Sequence, residues 1–273
     1  MPPALSGRTH FIVGGYPPGA FAGHDMDFAR LRVLELLEDA GVAATVSGDF
    51  TDVDKWLPGT SLLITYVAGP FANDEEAAMI RRWLEEGGRW LGLHGTSGGK
   101  AVRTESNRRR MVKTSHHETL GAFFLSHPPV RKFQVDVVGD EHPLTRGLPQ
   151  AFEVIDEPYM IEVQQPANSR LLMTAALGPD TSEAGFGFEY DEDTSLQPDG
   201  LTRVIGYTRP VGRGEVAYTT LGHCHSPISN SQRYVDKSVD PDGKTPPTLR
   251  QTWETEAFRQ LLRNGIEWGR GAD

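Results

Sequence analysis

The stretch Arg89-Trp90-Leu91-Gly92-Leu93-His94-Gly95-Thr96-Ser97-Gly98-Gly99 constrains this chain more than any other. Its apolar first half reads as a buried strand, and its glycine-rich second half reads as a tight turn at the end of that strand. A strand that stops on one polar side chain beside a glycine has the layout of a nucleophile elbow, which presents that side chain on the upper rim of an α/β sheet. Here the side chain is an imidazole, where such elbows carry a hydroxyl or a thiol. A hydrolase-type platform is thus combined with a different chemistry, and His94 is the first candidate catalytic residue.

The surrounding pattern supplies the sheet. Residues 11–13 form a short apolar strand followed by Gly14-Gly15. Phe28, Leu31, Leu34 and Leu37 recur at helical spacing, with Leu36 and Ala40 widening the stripe, so a helix is expected over 27–40. Residues 44–47 and 62–66 read as strands two and three. Asn73 with Glu76 three residues on is a capping-box spacing, and Gly87-Gly88 ends that second helix. This order predicts a mostly parallel sheet with helices on both faces and ligands at the carboxyl ends of its strands. The second half is richer in strands, at 133–138, 152–155, 171–175, 203–208 and 215–221, with a hairpin turn at 210–214. A helix over 255–268 closes the chain. Residues 1–273 read as a single α/β domain with insertions near 103–117 and 226–252, the latter a polar surface insertion or lid.

Composition excludes several functions. The net charge of −10 and the lack of a basic stripe argue against nucleic acid. Arg108-Arg109-Arg110 reads as a solvated face. No apolar run approaches 18 residues, so no membrane partner is expected. A single cysteine, Cys224, excludes internal disulfides and fits a reducing, cytoplasmic setting. A homo-oligomer is left open.

Nine histidines are present, most at strand ends or loops, where the loops of one sheet converge. His24-Asp25 precedes the first helix, His127 follows an apolar segment, Glu157 and Tyr159 follow the strand at 152–155, and His223-Cys224-His225 follows the strand at 215–221. Imidazoles with a carboxylate suit two chemistries, divalent-metal binding and metal-free acid/base catalysis. No HExxH or CxxC spacing decides between them. Cys224 reads as a packing residue beside the site, and Ser97 and Ser126 are off the elbow position. Gly14-Gly15 lacks a dinucleotide or P-loop spacing, so nucleotide binding is not expected.

The segments Tyr66-Val67-Ala68-Gly69-Pro70, Gly87-Gly88-Arg89-Trp90-Leu91-Gly92-Leu93-His94-Gly95, Ser126-His127-Pro128, His142-Pro143-Leu144-Thr145-Arg146-Gly147-Leu148, Asp156-Glu157-Pro158-Tyr159 and Thr219-Thr220-Leu221-Gly222-His223 together resemble the trehalose-utilisation (ThuA-like) family. The resemblance covers nearly the whole chain. It implies a flavodoxin-like, class I glutamine amidotransferase-like fold. True amidotransferases place cysteine at the elbow and histidine plus glutamate after a late strand. His94 and His223 match the first two positions and His225 replaces the glutamate, so glutaminase activity is not expected. The resemblance further implies sugar metabolism on 3-keto disaccharides or glycosides, and zinc in some relatives.

The expectation is therefore a carbohydrate-processing lyase or hydrolase. His94, His223 and Glu157 are its acid/base groups or metal ligands. His24, Asp25, His127, Tyr159 and His225 contact the sugar. The rival readings are a non-catalytic sugar-binding or regulatory protein on the same scaffold, and a Cys224-dependent hydrolase.

Overall fold

Nine strands form one sheet, and the computed structural model describes them within residues 7–271, excepting 18, 140, 141 and 184. In chain order the strands are β1 (Arg8–Gly15), β2 (Ala44–Ser47), β3 (Thr60–Ala68), β4 (Arg89–Leu93), the short hairpin β5 (Ala101–Arg103) and β6 (Arg109–Met111), β7 (Ala122–Ser126), β8 (Arg131–Val137), β9 (Ala151–Asp156), β10 (Met160–Val163), β11 (Arg170–Ala176), β12 (Thr202–Val211) and β13 (Gly214–Thr219). The helices are α1 (Met26–Asp39), α2 (Val53–Trp56), α3 (Asp74–Glu85), α4 (Ser115–Leu120), α5 (Gln251–Glu254) and α6 (Glu256–Gly269). The sheet order is β2-β1-β3-β4-β13-β12-β11-β8-β9. Its first five strands run parallel and the remaining pairings are antiparallel. The parallel expectation thus holds for the half that carries the elbow, and the later strands extend that sheet as an antiparallel wing.

Alternation along the central strands covers both faces. Leu62, Ile64 and Tyr66 of β3 pack with α1 and α6, while Leu63 and Val67 pack with α3. These strands are buried on both sides and therefore read as nearly continuous apolar runs. Helix α3 starts as its sequence dictates: Asn73 Oδ1 accepts from the Glu76 amide at 2.9 Å, and Glu76 Oε2 accepts from the Asn73 amide at 2.9 Å. The closing helix forms where expected, as α6, and the short α5 precedes it. Thr255 ends α5 and caps α6 through its hydroxyl, which accepts from the Phe258 amide. The hairpin before β13 is tighter than its sequence suggested, since Val211 still pairs with Gly214 and only Gly212 and Arg213 turn.

Register brings the functional loops together. Leu93, the last residue of β4, lies between Tyr66 of β3 and Thr219 of β13. His94 follows β4 directly, and the residues after β13 lead to His223. The strand order reverses between β1 and β3, which is where open α/β sheets bind ligands.

Two histidines behind the elbow hold it in place. His116 Nε2–H donates to Thr96 O at 2.8 Å, and His117 Nε2–H donates to Gly98 O at 2.9 Å. Burial pushes the His116 imidazole down to about 3 and the His117 imidazole down to about 4. Both stay neutral in the folded chain, whereas the unfolded chain takes up protons near 6.5. Their contribution is therefore fully present above that value and is lost as pH falls, by about 1.4 kcal/mol per pH unit for each group down to its folded value. Urea unfolding at pH 7 and pH 5 should show a shallower pH slope for His117→Gln than for the native chain. Identical slopes would refute this assignment.

Candidate functional site

The elbow is real in backbone terms. His94 has φ 42°, a left-handed conformation for a non-glycine residue, held at a cost of order 1–2 kcal/mol. Residues His94–Ser97 then form one 3-10 turn. Gly95 cannot be replaced, because a Cβ there would lie 2.4 Å from Val67 O. The late loop is pinned as firmly. Tyr66 Oη and Trp253 Nε1 both donate to Gly222 O, at 2.9 and 2.7 Å. The Asp156 carboxylate accepts from three buried backbone amides, those of Gly222, His223 and Glu157, at 2.8, 2.9 and 2.8 Å.

These anchors bring His24, His94, Glu157 and His223 into one buried group whose nearest donor atoms all lie within 4.8 Å of one another. Glu157 Oε2 is 3.3 Å from His94 Nε2, 3.2 Å from His223 Nδ1 and 4.0 Å from His24 Nε2. His94 Nε2 and His24 Nε2 are 3.1 Å apart. The sequence reading placed His94, His223 and Glu157 together; the structure adds His24 as a fourth member rather than a peripheral sugar contact.

The tautomers follow from the partners, since a carbonyl oxygen can only accept. His94 Nδ1–H donates to Thr220 O at 2.7 Å, and His24 Nδ1–H donates to Ala22 O at 3.0 Å. In the neutral rings both Nε2 atoms are then lone pairs, and they face each other with no hydrogen to share. His225 Nε2–H donates to Pro246 O at 2.8 Å, so its Nδ1 accepts from His223 Nε2–H at 3.0 Å. That leaves His223 Nδ1 bare as well. It is buried 3.2 Å from Glu157 Oε2, and in the neutral ring it has no hydrogen to offer that carboxylate. With all three rings neutral, three nitrogen lone pairs and one carboxylate oxygen thus converge on one place.

The electrostatics agree. Burial, then the neighbouring imidazoles of His94 and His223, hold His24 well below the ordinary imidazole value. Burial alone would raise the Glu157 carboxyl, but His127 and His223 together keep it well below the usual carboxylate range. Burial likewise disfavours a charged His223, yet the Glu157 charge outweighs it and raises the imidazole. The place between Glu157 and His223 therefore attracts positive charge.

The remaining candidates surround this group. His127 Nδ1 is 3.7 Å from Glu157 Oε1 and 3.0 Å from Pro128 O. Tyr159 stacks on His94 at 4.1 Å between ring centres, and burial keeps its phenol protonated. Asp25 stands beside the group: its carboxylate caps α1 at Phe28 and pairs with Arg250 at 2.6 Å. His225, expected to meet the sugar, has both ring nitrogens engaged by the protein and acts through His223. Cys224 is fully buried, and burial pushes its thiol up to about 12, so it supplies no thiolate nucleophile. Two functional residues escaped the sequence reading. Asp156 sat in a quoted motif without a role, and Gln232, which donates to Glu157 Oε1, lies in a polar stretch with no periodicity.

The fold and rim define an α/β protein of flavodoxin-like type, with a histidine at the elbow that follows its central strand β4. Solved structures share this fold. A ThuA-like protein of Bacteroides uniformis superposes with a TM-score of 0.62 at 17% identity, covering 98% of this chain and 94% of that one. A ThuA-like protein of Parabacteroides merdae gives 0.58 at 16%, covering 96% and 89%. A cytoplasmic protein of Salmonella typhimurium gives 0.52 at 12%, covering 87% and 85%. No curated protein matches the sequence. The chain belongs to the ThuA (trehalose utilisation) family, whose sequence profile matches residues 19–235.

Proposed function

We propose that this chain is a carbohydrate-processing enzyme whose rim holds a divalent cation on His24, His94, Glu157 and His223. The carrying observation is the set of fixed tautomers, which turns three bare imidazole nitrogens toward one carboxylate. Three of the six donor separations, 3.1, 3.2 and 3.3 Å, match the roughly 3.3 Å between neighbouring donors in a tetrahedral shell with zinc-to-ligand bonds near 2.0–2.1 Å, while the others, 4.0 Å for His24 with Glu157 among them, reach no further than 4.8 Å and would have to close inward on an ion. Nitrogen ligands with one carboxylate suit zinc among the common divalent ions. When bound, such an ion supplies Lewis-acid polarisation of a substrate oxygen.

The family's description supports a sugar substrate, and the resemblance points to a 3-keto glycoside. In that substrate the ketone acidifies the adjacent C–H. A base takes that proton, the electron pair forms a carbon–carbon double bond, and the glycosidic C–O bond breaks toward its oxygen. The departing oxygen then receives a proton. Glu157 is committed to the imidazoles, so His127 is the group suited to accept the proton. In the neutral ring its Nδ1–H donates to Pro128 O, and Nε2 carries the lone pair. Tyr159 presents a protonated phenol beside His94 and serves as a donor to a sugar oxygen.

The test combines elemental analysis of unchelated protein with a panel of 3-keto disaccharides and glycosides. About one zinc per chain and turnover of at least one panel member are expected. Turnover by metal-free protein would replace the cation by direct acid/base catalysis. Sugar binding without turnover across the panel would overturn the enzymatic reading in favour of a binding or regulatory protein.

A further inference from the structure

We infer that Gln232 is a positioning residue that fixes the rotation of the Glu157 carboxylate, turning one oxygen to the imidazoles and holding the other away from them. The two oxygens have different company. Oε2 faces His94 and His223 at 3.3 and 3.2 Å. Oε1 accepts a hydrogen bond from Gln232 Nε2 and lies 3.7 Å from His127 Nδ1. The terminal torsion of a glutamate is broad and nearly two-fold, so burial alone leaves the plane of the group undefined. A donor on one oxygen defines it.

Gln232 itself is held from both sides. Its backbone N–H donates to Asn230 Oδ1 at 2.9 Å, and its backbone carbonyl accepts from Thr245 Oγ1 at 3.3 Å. The Asn230 amide in turn donates to Ser226 O at 2.9 Å. Ser231 closes the same segment onto the loop that carries His24, since a Cβ on Gly23 would lie 2.5 Å from Ser231 Oγ. The stretch that reads as a featureless surface insertion thus reaches Glu157 across 75 positions of sequence.

The residue type fits this task. A lysine or arginine at 232 would neutralise Glu157 and remove the negative charge that the converging nitrogens face. An aspartate or glutamate would repel it. A carboxamide orients the carboxylate and leaves its charge intact. The purpose of that orientation rests on the cation reading above, but the orientation itself is a property of the metal-free chain.

Gln232→Met keeps much of the side-chain volume and removes the donor; Gln232→Ala removes both. The first readout is the ring-nitrogen NMR shifts of His94 and His223 in metal-free protein. The second is zinc affinity by chelator competition. Both variants should move the ring shifts and weaken zinc by about 10- to 100-fold, the usual effect of losing a partner behind a metal ligand. Unchanged ring shifts in Gln232→Met overturn the inference whatever happens to zinc, because packing alone then explains the contact. A native chain that binds no zinc sinks the cation reading, while the ring shifts still decide the role of Gln232.

Discussion

Glu157→Gln should strip zinc from the protein while leaving it folded. The substitution keeps the shape of the side chain and removes the only carboxylate of the four-residue group. It also removes the charge that raises the His223 imidazole. Loss of a direct ligand exceeds the loss of a partner behind one, so zinc affinity should fall by about 100-fold or more. The metal-free protein should remain folded but lose some stability at neutral pH, since the depressed Glu157 carboxyl marks a net attraction in the native state. The loss should be smaller than that of zinc affinity, because the desolvation cost of the buried carboxylate disappears with its attraction to the imidazoles, although that attraction is the larger of the two. Metal content after dialysis and urea unfolding of chelated protein give the two readouts. Stoichiometric zinc in Glu157→Gln would remove Glu157 from the donor set.

Asp156→Ala should do the opposite, damaging the fold first. Its carboxylate satisfies three buried amides at once, and two of them belong to the loop that carries His223. Each orphaned buried donor costs about 1–3 kcal/mol. A carboxylate this deeply buried is itself disfavoured, and burial raises its pKa, so part of that loss is recovered. A net loss of about 3–6 kcal/mol is expected. It should appear as a lower urea midpoint with little change in slope. Asp156→Asn should lie between, since its amide nitrogen must face at least one of the same N–H groups. A loss below about 1 kcal/mol for Asp156→Ala would show that the loop is held by other means, such as the bonds from Tyr66 and Trp253 to Gly222.

The half of the fold that carries the elbow was legible because its signals are local. Apolar runs made β1, β3 and β4, and Asn73 with Glu76 marked the start of α3. The pair β7 and β10 was not read as such. Met160–Val163 is short, and only its antiparallel pairing with Ala122–Ser126 makes it a strand. In the site, His94, His223 and Glu157 were visible as polar residues at strand ends. His24 was visible too, but its part in the central group depends on Ala22 O fixing its tautomer, which no spacing records. Gln232 had no signal, because a polar residue in a non-periodic segment looks alike whether it meets solvent or a carboxylate. The role of His225 was hidden for a related reason: its partner Pro246 O lies on a returning loop, which an isolated bridge joins to His225 at Leu249.

The lock at Gly95 has a consequence for how this scaffold changes its chemistry. The left-handed backbone at position 94 is followed directly by a residue packed against the carbonyl of Val67. Whatever residue stands at 94 leaves the main chain at the same point and in the same direction. The position works as an interchangeable socket: its side chain can be exchanged without moving the frame, whereas a change at 95 would destroy the socket. A thiol, a hydroxyl and an imidazole would all be delivered to one spot, and the surrounding groups then determine which reaction is carried out there.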